Sequence, residues 1–376
     1  MPSRPSTSPD VSWAPQGARF LRSPFMSQRK IAIVGGGLAG LYAAYRLQSA
    51  GIDFDLFEAR KRLGGRILST AKGGLDLGPT WFWPDFQPRM RELLAELGLP
   101  AFEQHEQGDA LFDRGPGQVM CRQGYQSGNL SMRIAGGSAR LVQALAAALP
   151  AERLHLETEL LAARLTNDGV QLQLSSDRRA QPVYDALWLA IPPRLAGRVD
   201  YNPPLSPPAI QQLSAVPTWM AAHAKYMARY MRPFWRQQGL SGDAFSAIGP
   251  LGEIHDAGHD EAAALFGFFA IGAQQRRALN ESDLKALCRA QLTRLFGEAA
   301  GNPVEDWVQD WSAEAFTATH DDLTPPRWHS VYEVSHSIDG PWRKRLKLIG
   351  SEAGGEQGGY MEGALLAVDA ALQLLT

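Results

Sequence analysis

A glycine-rich turn between a strand and a helix constrains this chain more than any other feature of its sequence. Residues 35–40 read Gly-Gly-Gly-Leu-Ala-Gly and directly follow the apolar, β-branched run at residues 31–34. Residues 38–50 then carry apolar side chains at helical spacing, and Gly51 is typical of a helix end. A second predicted strand, at residues 54–57, completes the order strand, loop, helix, strand. This is the βαβ unit with which dinucleotide-binding folds begin.

Each part of this loop has a predicted physical role. Gly35 permits the tight turn, and Gly37 lets the backbone approach a pyrophosphate because it has no Cβ. Gly40 lets the helix pack close to the strand. The free N–H groups at the helix N-terminus, around Leu38 and Ala39, carry partial positive charge and would bind phosphate. The alternative is a purely structural glycine turn.

The residues after the second strand distinguish between possible dinucleotides. Glu58 can accept hydrogen bonds from a ribose diol, and its charge would repel a 2′-phosphate, which argues against NADP. Residues 58–66 read Glu-Ala-Arg-Lys-Arg-Leu-Gly-Gly-Arg. The backbone at Gly64 and Gly65 could run beside a cofactor, and Arg66 could reach its phosphates. An NAD site needs no such second layer, so the sequence favours FAD, unless the arginines form only a solvated basic loop.

Composition excludes several other classes of protein. The chain has 376 residues and a net charge of −2, which indicates no nucleic-acid or anionic-membrane partner. It has only two cysteines, too few for a disulfide framework, and no apolar run of membrane-spanning length. These features favour a cytoplasmic protein. The Ser-, Pro- and Arg-rich residues 1–27 are predicted to be a disordered tail. The histidines show no metal-ligand spacing, so we expect no metal site.

Taken with further motifs, the sequence resembles the flavin-containing amine oxidase superfamily, of the monoamine and polyamine oxidase kind, from about residue 30 to the C-terminus. Besides residues 35–40 and 58–66, the resemblance is carried by residues 76–81 (Asp-Leu-Gly-Pro-Thr-Trp), 133–137, 189–193, 350–352 (Gly-Ser-Glu) and 358–364 (Gly-Gly-Tyr-Met-Glu-Gly-Ala). It implies an α/β fold with a Rossmann-like FAD-binding domain, built from residues 28–86, 132–198 and 340–376. An α+β substrate domain, residues 87–131 and 199–339, would be inserted into it.

The resemblance also implies which residues contact FAD. Arg66 would lie at the pyrophosphate, the backbone at Leu160 at the adenine, and Glu352 at the ribityl or phosphate region. Met361 would begin a helix aimed at the isoalloxazine ring. The full implied set is Gly35, Gly37, Leu38, Ala39, Gly40, Glu58, Ala59, Arg60, Gly65, Arg66, Gly78, Pro79, Thr80, Leu160, Glu352 and Met361.

The chemistry implied by the resemblance is oxidation of an amine by hydride transfer to flavin N5, with O2 as the acceptor and H2O2 as a product. Tyr360 matches one wall of the family's aromatic cage, although it could instead be a core residue. Lys225 resembles the lysine that holds a water near N5 and helps O2 react, although it could instead be an exposed strand residue. Trp81, Phe234 and Trp235, and the aromatic run at residues 266–269, could line the substrate pocket or belong to the core.

Two departures from the family pattern matter. Members with covalent flavin carry a cysteine before the second cage tyrosine. The corresponding residues 335–343 contain none, so FAD is expected to be non-covalent, with Tyr332 and Trp342 as candidates for the second wall. Gln357 replaces an aromatic residue found in many members, which predicts a more open or more polar slot. Two alternatives stay open: a flavoprotein of the same fold that acts on C–C bonds, such as a desaturase or porphyrinogen oxidase, and a non-catalytic flavin-binding protein.

Overall fold

The computed structural model describes residues 29–115, 117, 119–124, 128–176, 182–259, 262–326, 329, 332, 334 and 337–375. The predicted N-terminal tail, residues 1–27, lies outside these residues. The strands, in chain order, are β1 (Lys30–Val34), β2 (Asp53–Phe57), β3 (Ala101–Glu103), β4 (Asp109–Asp113), β5 (Val119–Gln123), β6 (Met132–Ile134), β7 (Leu154–His155), β8 (Leu160–Leu165), β9 (Val170–Leu174), β10 (Ala186–Leu189), β11 (Asp200–Asn202), β12 (Ala224–Tyr230), β13 (Leu240–Ser246), β14 (Leu251–Asp256), β15 (Ala263–Phe269), β16 (Glu305–Asp310) and β17 (Leu346–Leu348). The α-helices are α1 (Leu38–Ala50), α2 (Pro88–Glu96), α3 (Ala139–Ala147), α4 (Pro193–Ala196), α5 (Pro207–Ala215), α6 (Phe234–Gln237), α7 (Ala273–Arg277), α8 (Glu281–Phe296) and α9 (Met361–Gln373).

The first sheet is parallel and has the order β17-β10-β1-β2-β7. Strand β1 lies at its centre and is buried on both faces, which explains its continuous apolar sequence. The chain runs from β1 to β2 on one side and returns to β10 on the other. The loop after β1 therefore lies at the point where the strand order reverses, where open α/β sheets bind their ligands. This arrangement confirms the predicted Rossmann-like α/β fold.

The two faces of this sheet have separate cores. One face packs against α1, α2, α3 and α9, with residues such as Leu41, Met90, Leu145 and Leu365 in the shared core. The other face packs against β8 and β9, which together with β11 form a small three-stranded sheet. The last described helix, α9, packs directly on α1. Elements from the two ends of the described chain therefore lie side by side in the same layer.

A second, mostly antiparallel sheet has the order β16-β12-β15-β14-β13-β4-β5. Helix α8 covers one face through Leu284, Cys288 and Leu292, which pack on Tyr226 and Ala228 of β12. This sheet and its helix correspond to the predicted α+β substrate domain. A two-stranded antiparallel pair, β3 and β6, connects segments on either side of β4 and β5.

The packing of two segments differs from the domain boundaries expected from the sequence. Helix α2, which follows the predicted boundary at residue 87, packs in the core of the first sheet through Met90, Leu93 and Leu94. Helix α5, which follows the predicted boundary at residue 199, contributes Ala209 and Leu213 to the core on the other face of that sheet. We therefore propose that the cofactor domain includes both helices.

One predicted helix start requires correction. The amphipathic pattern of residues 283–296 predicts a helix with Ser282 as its N-cap. In the structure α8 begins at Glu281 and its N-cap is Asn280, whose side chain accepts a hydrogen bond from the Asp283 N–H. Both side chains are good N-caps, and the first one along the chain is used. At the other end of the chain, α9 begins at Met361 as predicted, with Tyr360 as its N-cap.

Candidate cofactor and active site

A cleft of about 700 Å³ lies at the carboxyl end of β1 and reaches the second sheet. We call its two regions the nucleotide part, which includes Gly37, Glu58 and Leu160, and the aromatic part, which includes Trp83 and Tyr360. Volumes of this size are typical of sites for cofactors and drug-sized ligands. The lining residues come from both sheets and from chain segments far apart in sequence.

The glycine loop has the geometry that the sequence predicts. Gly35 has a φ of 105°, a conformation that favours glycine, and its N–H donates to the Phe57 carbonyl at 2.8 Å. A Cβ on Gly40 would collide with the Gly35 carbonyl, so α1 can lie this close to the loop only with glycine there. A Cβ on Gly37 would meet only Gly65 and Gly64 backbone atoms, at 3.8 and 3.9 Å. The backbone at Gly37 is therefore open to the cleft, as a pyrophosphate requires.

Glu58 is fixed against this loop rather than solvated. The residue is 4% exposed and lines the cleft. One carboxylate oxygen accepts a hydrogen bond from the Gly36 N–H at 2.6 Å, and the other accepts from the Arg60 N–H at 2.8 Å. The carboxylate thus has a fixed orientation beside the helix N-terminus, where Leu38 and Ala39 also line the cleft. This is the arrangement expected of a ribose-binding acid.

Arg66 and Glu352 form an ion pair in which Glu352 is fully buried and Arg66 is partly exposed to the cleft. Arg66 Nη1 lies 2.7 Å from one Glu352 oxygen and Nη2 lies 3.0 Å from the other, a bidentate pairing. Burial alone would raise the pKa of Glu352, but the Arg66 guanidinium outweighs it and holds that pKa below its usual range. Arg66 lines the cleft, as predicted. The structure corrects the role expected for Glu352: it is fully buried, does not line the cleft, and is connected to it through the cleft residues Arg66, Ser351 and Trp219.

Lys225 is buried, not an exposed strand residue. Its ammonium nitrogen lies 2.7 Å from the Gly78 carbonyl and 2.7 Å from Thr80 Oγ1, both cleft residues, and 3.1 Å from the Asp76 carbonyl. Burial lowers the pKa of Lys225 to about 7, so that the side chain exchanges protons near neutral pH. Lys225 therefore contacts the same segment, residues 78–80, that the resemblance places near the flavin. Pro79 of that segment also lines the cleft.

Tyr360 stands at the N-terminus of α9, on the wall of the cleft next to Met361. Its ring centroid lies 6.2 Å from the ring of Trp83 and 6.0 Å from that of Trp219. Both tryptophans line the cleft, as does Trp81. The aromatic part is thus walled by rings from four separate positions of the chain.

The nucleotide part is covered by a segment that follows β16 of the second sheet. The Arg60 guanidinium donates to Glu314 at 3.2 Å and to the Thr317 hydroxyl at 2.9 Å, and it lies over the ring of Phe316. Phe316 and Thr317 line the cleft opposite Ala59 and Leu160. We call residues 314–317 the strap. Arg60 therefore links the strand end that carries Glu58 to the opposite side of the cleft.

Two predicted pocket residues are placed elsewhere. Phe234 and Trp235 lie in the core of the second sheet, where both pack on Tyr230. Trp235 is fully buried and its Nε1–H donates to Asp256 at 2.8 Å. Neither lines the cleft. The prediction was wrong because α6 turns these rings under the sheet, a direction that residue type alone does not reveal.

The candidates for the second cage wall are also corrected. Trp342 is buried on the far face of the first sheet, where its Nε1–H donates to the Pro203 carbonyl. Tyr332 is buried and does not line the cleft. Of the aromatic run at residues 266–269, Phe268 lines the cleft, whereas Phe266 lies behind it over the Lys225 ammonium.

Sequence reasoning missed several cleft residues. Trp219, Met220 and His223 lie on the turn before β12, and Gln87 precedes α2. Within the part of the chain that the structure describes, the buried Nδ1 of His223 has no hydrogen-bond partner. The sequence signal that could have identified this turn is its position just before Lys225. That the turn also approaches Tyr360 depends on tertiary packing.

The described residues contain no cluster of His, Cys, Asp and Glu that could hold a metal ion. Among their helices, none combines the length and the apolar character needed to cross a membrane.

Comparison with known proteins agrees with this geometry. Residues 33–97 match the model of an NAD(P)-binding Rossmann-like domain, and residues 117–375 match that of flavin-containing amine oxidoreductases. The chain is 23% identical to a probable flavin-containing monoamine oxidase A of Dictyostelium discoideum, over 89% of this chain and 94% of that protein. It is 24% identical to putrescine oxidase of Kocuria rosea, over 80% of this chain and 85% of that one.

Solved structures show the same fold. A triple mutant of putrescine oxidase superposes with a TM-score of 0.77 at 22% identity, covering 92% of this chain and 98% of the other. Cyclohexylamine oxidase from Brevibacterium oxydans also gives 0.77, at 19% identity, with the same coverage. The second family match spans more than half of this chain. The chain is an oxidoreductase that belongs to the family of flavin-containing amine oxidoreductases.

Proposed function

We propose that this protein binds FAD non-covalently and oxidises an amine, with O2 as the electron acceptor and H2O2 as a product. The observation that carries the proposal is the continuity of the cleft. It connects a dinucleotide-binding loop, at Gly35–Gly40, with a buried lysine and an aromatic wall at Lys225 and Tyr360. A non-enzymatic nucleotide-binding protein has no need for the second half of that arrangement.

The residues present fit FAD. The backbone at Gly37 is open beside the first turn of α1, where a pyrophosphate would be held, and Gly65 packs directly against it with little room for a Cβ. Glu58 would bind the adenosine ribose, and Arg66 would contribute positive charge to the phosphates. Both cysteines of the chain, Cys121 and Cys288, are outside the cleft lining, which supports binding without a cysteinyl link.

When bound, the flavin would supply the hydride acceptor for a C–H next to the amine nitrogen. The chain's own residues orient the substrate and exclude water. Trp83, Trp219, Phe268 and Tyr360 offer apolar ring faces to the substrate body, which keeps the amine neutral and close to the reacting position. Lys225, whose three ammonium hydrogens are already matched by Asp76, Gly78 and Thr80, would contribute positive charge to an oxygen species at the edge of this space.

The amine class follows from the charges of the lining. The carboxylates among the described cleft residues are Glu58 and Glu159, and both lie in the nucleotide part. An apolar aromatic wall accommodates an aromatic or alicyclic body, whereas a second ammonium placed there would be desolvated without a partner. One solved neighbour is putrescine oxidase bound to putrescine. We propose that this chain favours monoamines over such diamines.

The test is anaerobic stopped-flow reduction of the purified holoenzyme with a panel of benzylamine, cyclohexylamine, putrescine and spermidine. We expect bleaching of the oxidised flavin spectrum, fastest with the two monoamines, and release of H2O2 after air is admitted. Faster reduction by putrescine would refute the preference for monoamines, although the protein would still be an amine oxidase. A yellow protein that no amine bleaches would refute amine oxidation itself.

A further inference from the structure

His329 lies directly behind Tyr360 with its ring parallel to the tyrosine ring. The two ring centroids are 4.8 Å apart and the planes differ by 16°. His329 does not line the cleft, whereas Tyr360 does. One face of the tyrosine is therefore covered by an imidazole, and only its other face and its edge can meet a substrate.

Tyr360 depends on such contacts for its orientation. Within the described residues no hydrogen bond of its hydroxyl holds the ring in place. The backbone before it is glycine at both Gly358 and Gly359, and Gly359 has a φ of 84°, in the region that favours glycine. A ring that follows a glycine pair would otherwise sample several orientations. Its neighbours Trp83 and Trp219 touch it at an edge or a tilt, which leaves His329 as the face contact.

His329 is itself fixed. Its Nε2 lies 2.7 Å from the Gly358 carbonyl, so Nε2 carries a hydrogen and donates it. The imidazole edge also meets the rings of Trp219, at 4.6 Å, and Tyr332, at 5.7 Å. The His329 side chain therefore makes two contacts: it binds the backbone carbonyl of Gly358, and it stacks on the ring of Tyr360.

We infer that His329 is a positioning residue, which sets the orientation of the Tyr360 ring in the substrate slot by stacking on it and by binding the Gly358 carbonyl. This inference rests on the proposed role of Tyr360 as a wall of the amine slot. Its physical basis is that small displacements of positioning groups strongly reduce rates of reactions that require a close approach.

Three substitutions separate the two contacts. His329→Phe keeps a ring for stacking and loses the donor, His329→Gln keeps a donor and loses the ring, and His329→Ala loses both. We expect His329→Ala to lower the limiting rate of anaerobic flavin reduction by about tenfold, with the two single-contact variants in between. His320→Ala, at an exposed position outside the cleft, is the matched control and should reduce at the wild-type rate.

A double-mutant cycle shows whether His329 acts through Tyr360. In a Tyr360→Ala background, His329→Ala should have little further effect, because its target is gone. A general loss of structure would instead lower the rate by the same factor in both backgrounds. That result, or wild-type kinetics in His329→Ala, would overturn the inference.

A second measurement is independent of amine oxidation. The near-ultraviolet circular dichroism of the holoenzyme, wild type minus Tyr360→Ala, reports the immobilised tyrosine ring. We expect this difference to disappear in the His329→Ala background and to remain in the His320→Ala background. If no amine reduces the flavin, the proposed function fails while this measurement still decides the position of Tyr360. A difference signal that persists without His329 would show that other contacts hold the ring.

Discussion

At the scale of single residues, the site depends on groups whose surroundings change their chemistry. Lys225 is buried, with a pKa near 7, and is held by two backbone carbonyls and a threonine. Glu58 is fixed by two backbone N–H groups. From the sequence alone, a lysine and a glutamate would be expected at the protein surface. In the structure both are buried beside the cleft, which gives each a specific role.

Replacing Lys225 with methionine should separate the two halves of the reaction. Methionine fills a similar volume but has no charge and donates no hydrogen bond. The substitution therefore removes the ammonium group proposed to assist the reaction with O2, while the aromatic slot stays in place. We expect the reaction of the reduced enzyme with O2 to slow by about tenfold or more, with anaerobic reduction changed by less than about threefold. Stopped-flow measurement of both steps is the check. A wild-type reoxidation rate would remove Lys225 from the oxygen reaction.

The same lysine predicts a pH dependence of stability. Its pKa is lowered to about 7 in the native state from 10.5. Between those values the unfolded chain binds a proton at Lys225 that the native chain has lost, so stability rises as pH rises across this window. At pH 7 the destabilisation of the native state by buried Lys225 is close to its maximum, and it falls as pH rises towards 10. The free energy of unfolding gained by Lys225→Met should therefore be larger at pH 7 than at pH 10. Urea denaturation at both values measures it, and an equal gain would contradict the lowered pKa.

At the scale of elements, the two glycines near the ends of α1 have different structural roles. Gly40, inside the first turn, allows contact with the Gly35 carbonyl. Gly51, at the C-terminus, has a φ of 72° and nothing near the position of a Cβ. The first glycine is needed for packing at the cofactor loop, and the second only for the backbone conformation that ends the helix.

These two glycines give a matched pair of alanine substitutions. Gly40→Ala should push α1 away from β1 and raise the dissociation constant of FAD by about tenfold or more, a loss of at least ~1.4 kcal/mol. Gly51→Ala should cost about 1 kcal/mol of stability through its left-handed backbone, with FAD affinity unchanged. Fluorescence titration of the apoprotein with FAD distinguishes them. Equal affinities for FAD would mean that the loop tolerates the shift.

Local patterns explain why part of the fold could be predicted from the sequence. The strand before the loop is a continuous apolar run, and α1 and α9 carry apolar residues at helical spacing. These local patterns are sufficient to predict all three elements. The N-cap of α8 was misplaced because Asn280 and Ser282 are both suitable caps. The burial of Phe234 and Trp235, the indirect role of Glu352 and the approach of Trp219 to Tyr360 depend on contacts between distant segments, which a single sequence does not encode locally.

At the scale of the whole molecule, the strap joins the two sheets over the nucleotide part of the cleft. The contact consists of Arg60 with Glu314, Phe316 and Thr317. Residues of the strap belong to the segment after β16, whereas Arg60 follows β2. A bound nucleotide would lie beneath this connection, so the strap should slow its escape.

Removing the ion pair of the strap should speed cofactor release. Because Glu314 is about one-third exposed, its pairing with Arg60 is worth at most about 1 kcal/mol, so Glu314→Ala should raise the FAD dissociation rate by up to about fivefold. Glu298→Ala, at an exposed position outside the cleft, is the control. Release can be followed by capture of FAD with an excess of a second apoflavoprotein. An unchanged rate in Glu314→Ala would show that the strap does not restrain the nucleotide.

The pairing of Arg66 with Glu352 has a consequence for biosynthesis. The two residues are 286 positions apart, and α9, which follows Glu352, packs on α1. A ribosome adds residues in order, so a nascent chain emerges with its glycine loop long before it possesses the carboxylate that fixes Arg66. The site cannot be completed before Glu352 and α9 have left the exit tunnel. A chain truncated before residue 352 would therefore lack the carboxylate that fixes Arg66.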